Sequence, residues 1–331
     1  MSDFKLPRNT EFYSVTITTI ALHLLNLFGS AYIFYRTFRY WREREYKSLA
    51  MSHRLPLYAA STDFLTAGLS IINGAYTLCN SKTLPEIPCA ATGWATAILS
   101  FINQFIFLGI SIITYLRVCQ HKPIELGRFD YKLFTFSCLL TGIALAIVSR
   151  DGYGAQKYWC ANKVKARASL ITPIVEIISV TVISLACYAA TLRALVRNRR
   201  ELKKGTVFAS QYHTIDRIEE RVTRKIITYV LFFNLQWLPI AVYAGAALTE
   251  AATETWVYYV GVIGLSFGGI GNAIAYVMNE GWLPNYNTSS PPLNSHQHAS
   301  KDNEFSHTNT TIKVDIVKVE SSNKSQNQAN I

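Results

Sequence analysis

Apolar residues fill seven long stretches of the chain, and polar residues are largely confined between them. The stretches are Tyr13–Tyr35, Leu55–Leu78, Cys89–Leu116, Leu133–Ser149, Ala168–Leu192, Ile226–Leu248 and Trp256–Asn279. A bilayer core about 30 Å thick is crossed by roughly 20 helical residues, within a range of about 17 to 25. Six stretches meet that length and Leu133–Ser149 lies at its lower edge. Inside lipid the backbone has no water to bond, so each stretch is expected to be a helix. The dyad alternation of a transmembrane barrel is not visible. The pattern predicts an all-α membrane protein, a bundle of seven transmembrane helices.

Charge sharpens this picture. The chain has 331 residues, with 32 Lys or Arg against 21 Asp or Glu. Inside the seven stretches the charged residues are Asp63 and Glu176 alone. This distribution excludes a soluble enzyme, a disulfide-rich secreted module, a coiled coil and a disordered protein. The segments Arg36–Arg54, Arg117–Lys132, Arg193–Lys225 and the tail after Asn279 hold 24 of the basic residues, and the alternate segments hold eight. Basic loops stay in the cytoplasm, so the N-terminus is expected outside and the C-terminus in the cytoplasm. The net charge of +11 then describes a basic inner surface facing the membrane, and no nucleic-acid partner is expected.

The first apolar run is too long for the h-region of a signal peptide and reads as a genuine span. Residues 1–12 form a short extracellular N-terminus, 13–286 the helical domain, and 287–331 a Ser/Thr/Asn-rich cytoplasmic tail whose composition predicts disorder. That tail suits regulatory phosphorylation or simple solubilisation. Its sequons at Asn287, Asn309 and Asn323 are expected to stay unglycosylated on this topology. The odd span number and the lack of a repeat disfavour an inverted-repeat transporter.

Six cysteines lie at 79, 89, 119, 138, 160 and 187, with neither CxxC nor zinc spacing. Cys89 opens the third span on the outer side and Cys160 lies within the loop after the fourth. An oxidising compartment allows a disulfide between them, and Cys79 competes for either partner. Asp63 in the second span needs partners or a water-filled cavity. Asn26, Asn103 and Asn272 are candidates. Such a cluster either holds a sodium ion or exchanges a proton, or it acts as static polar glue between helices. Glu176 lines a pocket or pairs with a neighbour. Pro239 interrupts the sixth span and favours a kink. Phe233 and Trp237, four residues apart on one face, complete a candidate hinge.

These residues resemble a family, the seven-helix G-protein-coupled receptors. Phe233-Asn-Leu-Gln236-Trp237-Leu-Pro239 looks like the span-six signature Phe-x-x-Cys-Trp-x-Pro, with Gln for Cys. Asn272-Ala273-Ile-Ala-Tyr276 is similar to Asn-Pro-x-x-Tyr, and Ala59-Ala60-Ser61-Thr62-Asp63 resembles Leu-Ala-x-x-Asp. Span three ends Ile113-Thr114-Tyr115-Leu116-Arg117-Val118 where the family has Asp-Arg-Tyr-x-x-Val. Tyr115 and Val118 match, and Arg117 is displaced by three positions from the family's arginine. Span four lacks the usual Trp. These departures are more similar to the divergent rhodopsin-like and cyclic-AMP-receptor-like receptors of fungi and amoebae than to animal hormone receptors.

The resemblance implies a plasma-membrane receptor that senses an extracellular ligand and promotes nucleotide exchange on a heterotrimeric G protein, without catalysis and without cofactor or metal. Phe233, Trp237, Pro239, Asn272 and Tyr276 are then the activation switch, and Asp63, Asn103 and Asn26 the polar, sodium-binding cluster. Tyr115, Arg117 and Arg224 are the expected G-protein contacts. Thr96, Ser100, Glu176 and Tyr243 are the expected ligand pocket. Thr96 stands where amine receptors place an Asp, which disfavours a monoamine. The basic loop Arg150–Arg167 favours an anionic ligand by steering.

Rival classes are weighed on single residues. A retinal protein needs a lysine in the last span, and Trp256–Asn279 has none. An intramembrane zinc enzyme needs several histidines, and His23 is the only one in the spans. The remaining alternative is an ion or solute carrier or channel that uses Asp63 and Glu176.

Overall fold

The structure is a computed structural model and describes residues 9–43, 51–120, 122, 124–127, 130–148, 152–163, 167–204, 228, 231–249 and 254–280. Two units separate at Pro284, and the second, from Asn285, lies outside the described residues, as do Arg224 and Lys165. The described residues form seven helices in chain order: α1 Thr10–Glu43, α2 Met51–Asn80, α3 Glu86–Cys119, α4 Tyr131–Ile147, α5 Arg167–Lys204, α6 Leu231–Ala246 and α7 Thr255–Glu280. Five of them are long and apolar enough to span a membrane, and α4 and α6 are shorter apolar helices. The protein is a multi-pass membrane protein built as a seven-helix bundle.

Several helices outrun their apolar cores. α1 continues past Tyr35 to Glu43, carrying Arg36, Arg39 and Arg42. An Arg39–Glu43 pair four residues apart, at 2.9 Å, supports the extension. α3 starts at Glu86 with Pro85 before it and Pro88 in its first turn. An early Pro loses no helical bond, and Glu86 complements the positive end of the helix.

On α1 and α2 the inward face is rich in polar residues and the outward face is apolar. On α1 the buried residues include Thr16, Thr19, His23, Asn26, Ser30 and Thr37, spaced three, four or seven apart and so on one side. The exposed ones include Ile17, Leu24, Leu25 and Phe28. On α2, Thr62, Asp63, Thr66, Asn73 and Thr77 are buried, while Leu65 and Ile72 are exposed. Lipid solvates apolar side chains at no cost, so polar groups turn to where helices can bond them. α1 packs on α2 and α7, and α3 packs on α2, α4 and α5. Between α3, α5 and α6 the packing is apolar and aromatic, through Phe101, Phe105, Leu108, Ile177, Val180, Phe233 and Trp237.

α1 and α7 meet where Gly29 faces Gly269. A Cβ on Gly29 would lie 2.5 Å from the Gly269 carbonyl oxygen, so only glycine permits this approach. Asn26 exploits it. Its Oδ1 accepts from the Gly269 N–H at 2.6 Å and its Nδ2 donates to the Leu265 carbonyl at 3.5 Å. The side-chain amide thus offers both members of one α7 turn the partner that they ordinarily find in each other.

The loop between α4 and α5 contains a short antiparallel hairpin, β1 Tyr153–Ala155 and β2 Cys160–Asn162, which the helical pattern did not predict. The strands pair Tyr153 with Asn162 and Ala155 with Cys160. A segment pressed onto the helix ends needs its own backbone partners, and a two-stranded ladder supplies them. Cys160 is bonded to Cys89 at the start of α3, with Cα atoms 5.1 Å apart, and Cys79 is free. Gly93, one turn along α3, lies beneath Ala161, whose Cα would sit 3.3 Å from a Cβ there.

The disulfide and the glycine seat make one anchor for the hairpin. Cys89→Ser and Cys160→Ser are each expected to lower folded surface expression to a similar extent. The expected destabilisation is about 2–4 kcal/mol, and the double variant should be no worse than either single one. Flow cytometry of tagged protein measures this, and additive losses would mean the two thiols act separately.

Candidate functional site

Asp63 is the node of a network joining four helices. It is buried on α2, and Asn103 of α3 donates to its Oδ1 at 3.2 Å and to the Thr62 hydroxyl at 2.7 Å. From α6, Gln236 donates to Oδ1 at 3.4 Å, and from α7, Asn272 donates to Oδ2 at 2.8 Å. A carboxylate inside a bilayer costs on the order of 2.5–3.5 kcal/mol. Hydrogen bonds to a charged acceptor contribute about 1.5–3 kcal/mol each and offset that cost. Gly268 closes the site, because any Cβ there would meet Asp63 and Gln236.

Of the expected cluster, Asp63 and Asn103 are bonded directly. Asn26 instead holds the α7 backbone one residue from Gly268, so it borders the network without touching the carboxylate. Its side chain reaches the α7 ladder first because the Gly29–Gly269 contact brings that ladder within bonding distance. Gln236 and Thr62 are network members that motif reasoning passed over. Gln236 stood in the sequence only as the residue replacing a Cys.

Of the expected switch residues, Asn272 bonds this node directly. Trp237 and Phe233 are buried, with ring centroids 6.3 Å apart, and Phe233 stacks on Phe107 of α3 at 4.0 Å. Pro239 follows in a helix that remains continuous from Leu231 to Ala246. Tyr276 packs against Ile33 of α1 and Ala60 of α2. At the end of the bundle away from the hairpin, Tyr115 is half-buried and Arg117 exposed, and the Arg117 guanidinium donates to the Ile124 carbonyl at 2.8 Å. That end carries a different polar latch: Arg54 and the Tyr58 hydroxyl, both on α2, reach Asp130 at 2.9 and 2.8 Å.

The four expected pocket residues do not converge. Tyr243 donates to Gln156 in the hairpin turn at 2.5 Å and packs against Trp159 and Tyr258. Gln156 also donates to the Asn162 carbonyl. Glu176 is buried on α5, both of its oxygens lacking a partner among the described residues. Tyr153, outside the spans, is buried nearby, and its phenol is pushed up to about 12 by burial first and by the Glu176 charge second. Ser100 is half-buried on α3. Thr96 alone lines a cavity, of about 50 Å³, enclosed by α1, α2, α3, α7 and the hairpin.

The hairpin turn roofs that cavity. Tyr158 packs with Phe12 and Val15 of α1 and Tyr258 of α7, and Lys157 lies over the rings of Tyr158 and Tyr258 at 5.1 and 6.0 Å. Lys163 folds back against Gly154. The cavity lining contains no Lys, Arg, Asp or Glu among the described residues, and Lys157 and Lys163 lie outside it. Among the described residues no group of three His, Cys, Asp or Glu could hold a metal ion.

No family model matches the chain, and no curated protein matches it. Among solved structures, squid rhodopsin matches with a TM-score of 0.65 and 16% identity, covering 83% of this chain and 79% of that one. The chain therefore has a rhodopsin-like seven-helix fold.

The bond lengths around Asp63 rank its partners. Asn272→Ala leaves Oδ2 without its donor and is expected to cost about 1–3 kcal/mol, and Gln236→Ala, which removes the longest bond, less. Thermal unfolding of the purified protein would show the larger drop in midpoint for Asn272→Ala.

Proposed function

We propose that the protein is a plasma-membrane receptor, with the N-terminus and hairpin outside, that couples an extracellular ligand to nucleotide exchange on a heterotrimeric G protein. The rhodopsin-like fold supports this reading, and one observation carries it. A single carboxylate ties α6 and α7 to α2 and α3, and α6 holds on by the weakest of the bonds, 3.4 Å from Gln236. Beyond about 3.2 Å an N–H···O bond weakens. Gln236 adjoins Trp237, so movement of that ring against Phe233 breaks the bond and frees the inner half of α6. A ligand drives this step only by its differential affinity for the two states. Tyr115, Arg117 and Arg224 face the G protein in this reading, beside the basic segment Arg193–Lys225.

Asp63 then serves as more than glue, because its environment changes whenever α6 departs. Sodium or a proton stabilises whichever state holds the carboxylate better paired. Asp63→Asn is accordingly expected to remove sodium and pH dependence from signalling. Dependence equal to wild type would leave the static reading standing.

The direct test is guanine-nucleotide exchange in membranes containing the chain and a panel of G proteins, with Trp237→Ala and receptor-free membranes as controls. Exchange above both controls is expected. Solute uptake or conductance without exchange would instead support a carrier using Asp63 and Glu176.

A further inference from the structure

Asp130 departs from what its position asks of it. It is the residue before α4, where an Asp ordinarily caps the helix by accepting from a backbone N–H. Its backbone is instead left-handed, at φ 55° and ψ 33°, and the side chain makes no capping bond. That conformation costs any residue with a Cβ, although Asp tolerates it better than most. The carboxylate is turned to α2 and the residue is 1% exposed. Strained residues of this kind gather at switches and functional sites.

The partners of Asp130 are Arg54 and Tyr58, one turn apart on one face of α2. Both bond the same oxygen, Oδ2, the Arg54 Nη1 at 2.9 Å and the Tyr58 hydroxyl at 2.8 Å. Arg54 Nε is buried without a partner among the described residues, so the guanidinium does not use it for a second prong on the carboxylate. The Tyr58 ring meets Phe134 of α4 edge-on, with centroids 4.8 Å apart. The chain on either side of Asp130 is weakly held by its own backbone. The Asp130 N–H reaches the Gly127 carbonyl and the Lys132 N–H the Leu126 carbonyl, each at 3.3 Å, beyond the length at which such bonds begin to weaken. The connection between α3 and α4 therefore rests on two side chains, Leu126, buried against Ile106, Ile113 and Leu133, and Asp130.

The geometry points to a latch: the contact of Arg54 and Tyr58 with Asp130 holds the α3–α4 connection against α2 in the resting state, and its release is a step of activation. A buried carboxylate cannot leave its partners without reaching water or other donors, so Asp130 is either seated on α2 or swung out with the turn that carries it. The Arg54 side chain is 28% exposed, which puts water within reach when the pair parts. The latch lies on other elements than the Asp-Arg pair that the third span lacks, where Ile113 and Thr114 stand. It rests on the receptor reading for its consequence, ligand-free signalling, but not for its own opening and closing.

The test uses the full-length chain purified in detergent, and deuterium uptake at the amides of residue 130 and Lys132 reads the latch without a G protein. Asp130→Asn removes the charge and keeps a residue that suits the left-handed backbone, and Arg54→Gln removes the cation. Each is expected to speed uptake about 10- to 100-fold, the loss of a hydrogen bond between charged groups, and the two effects should not add. Tyr58→Phe keeps the ring and removes one hydroxyl, for an expected rise of about 3- to 10-fold. It keeps the test open should the charge variants misfold. Leu170→Ala, a buried site on α5 at the hairpin end, controls for general loosening and should leave these amides as in wild type.

Nucleotide exchange without ligand is read on the same variants and is expected to rise about 10-fold. Uptake at the wild-type rate, additive effects, or equal uptake in Leu170→Ala overturns the latch. Faster uptake with no rise in nucleotide exchange, on a G protein that responds to wild type, overturns it too and reduces the contact to a brace. If no G protein responds to any of these chains, the receptor reading fails, and deuterium uptake alone decides the latch.

Discussion

A carboxylate in the membrane-spanning part of this bundle has to find partners inside the protein, and that demand organises the structure around Asp63. A carboxylate cannot face hydrocarbon, so α2 turns it inward, and the amides of Asn103, Gln236 and Asn272 come from three other helices to meet it. Those bonds fix the rotation of α3, α6 and α7 about their own axes. The glycines of α7 allow the approach, because a side chain at Gly268 would occupy the volume of the carboxylate and its Gln236 partner. Asn26 extends the same solution to α1 by bonding α7 backbone directly.

The two halves of the bundle are held by different forces. Around α1, α2 and α7 the seam is polar and closely spaced. Around α3, α5 and α6 it is apolar, with stacked rings at Phe107, Phe233 and Trp237. Stacked rings and dispersion contacts tolerate sliding better than directional hydrogen bonds do. The directional bonds thus lie mostly on the α1–α2–α7 side, and the ring and dispersion contacts on the α3–α5–α6 side. The long Gln236 bond is the place where the two regimes join.

The hairpin joins both halves of the bundle at its own end. Its disulfide fastens it to α3, Gln156 takes the Tyr243 hydroxyl of α6, and Tyr158 inserts against α1 and α7. Trp159 also meets the Tyr243 ring directly, with centroids 6.3 Å apart, so the hairpin turn and α6 are in contact.

Much of this was legible in residue order. Apolar length identified the helices, the rarity of charge singled out Asp63 and Glu176, and the expected topology put Cys89 and Cys160 on one side, where they pair. A polar stripe at 16, 19, 23, 26, 30 and 37, spaced three, four or seven apart within apolar sequence, also stands in the residue order and was passed over. What sequence could not decide was which of several inward-facing groups meet. Asn26, Asn103 and Asn272 are equivalent by composition, yet α1 lies so close to α7 at Gly29 and Gly269 that Asn26 bonds backbone while the other two bond the carboxylate. Tyr243 looked like a pocket residue until the hairpin claimed its hydroxyl. Helix formation depends on local length and hydropathy, which the sequence by itself determined. Partner choice depends on rotations and separations set by all seven helices at once, and only the tertiary structure decided it.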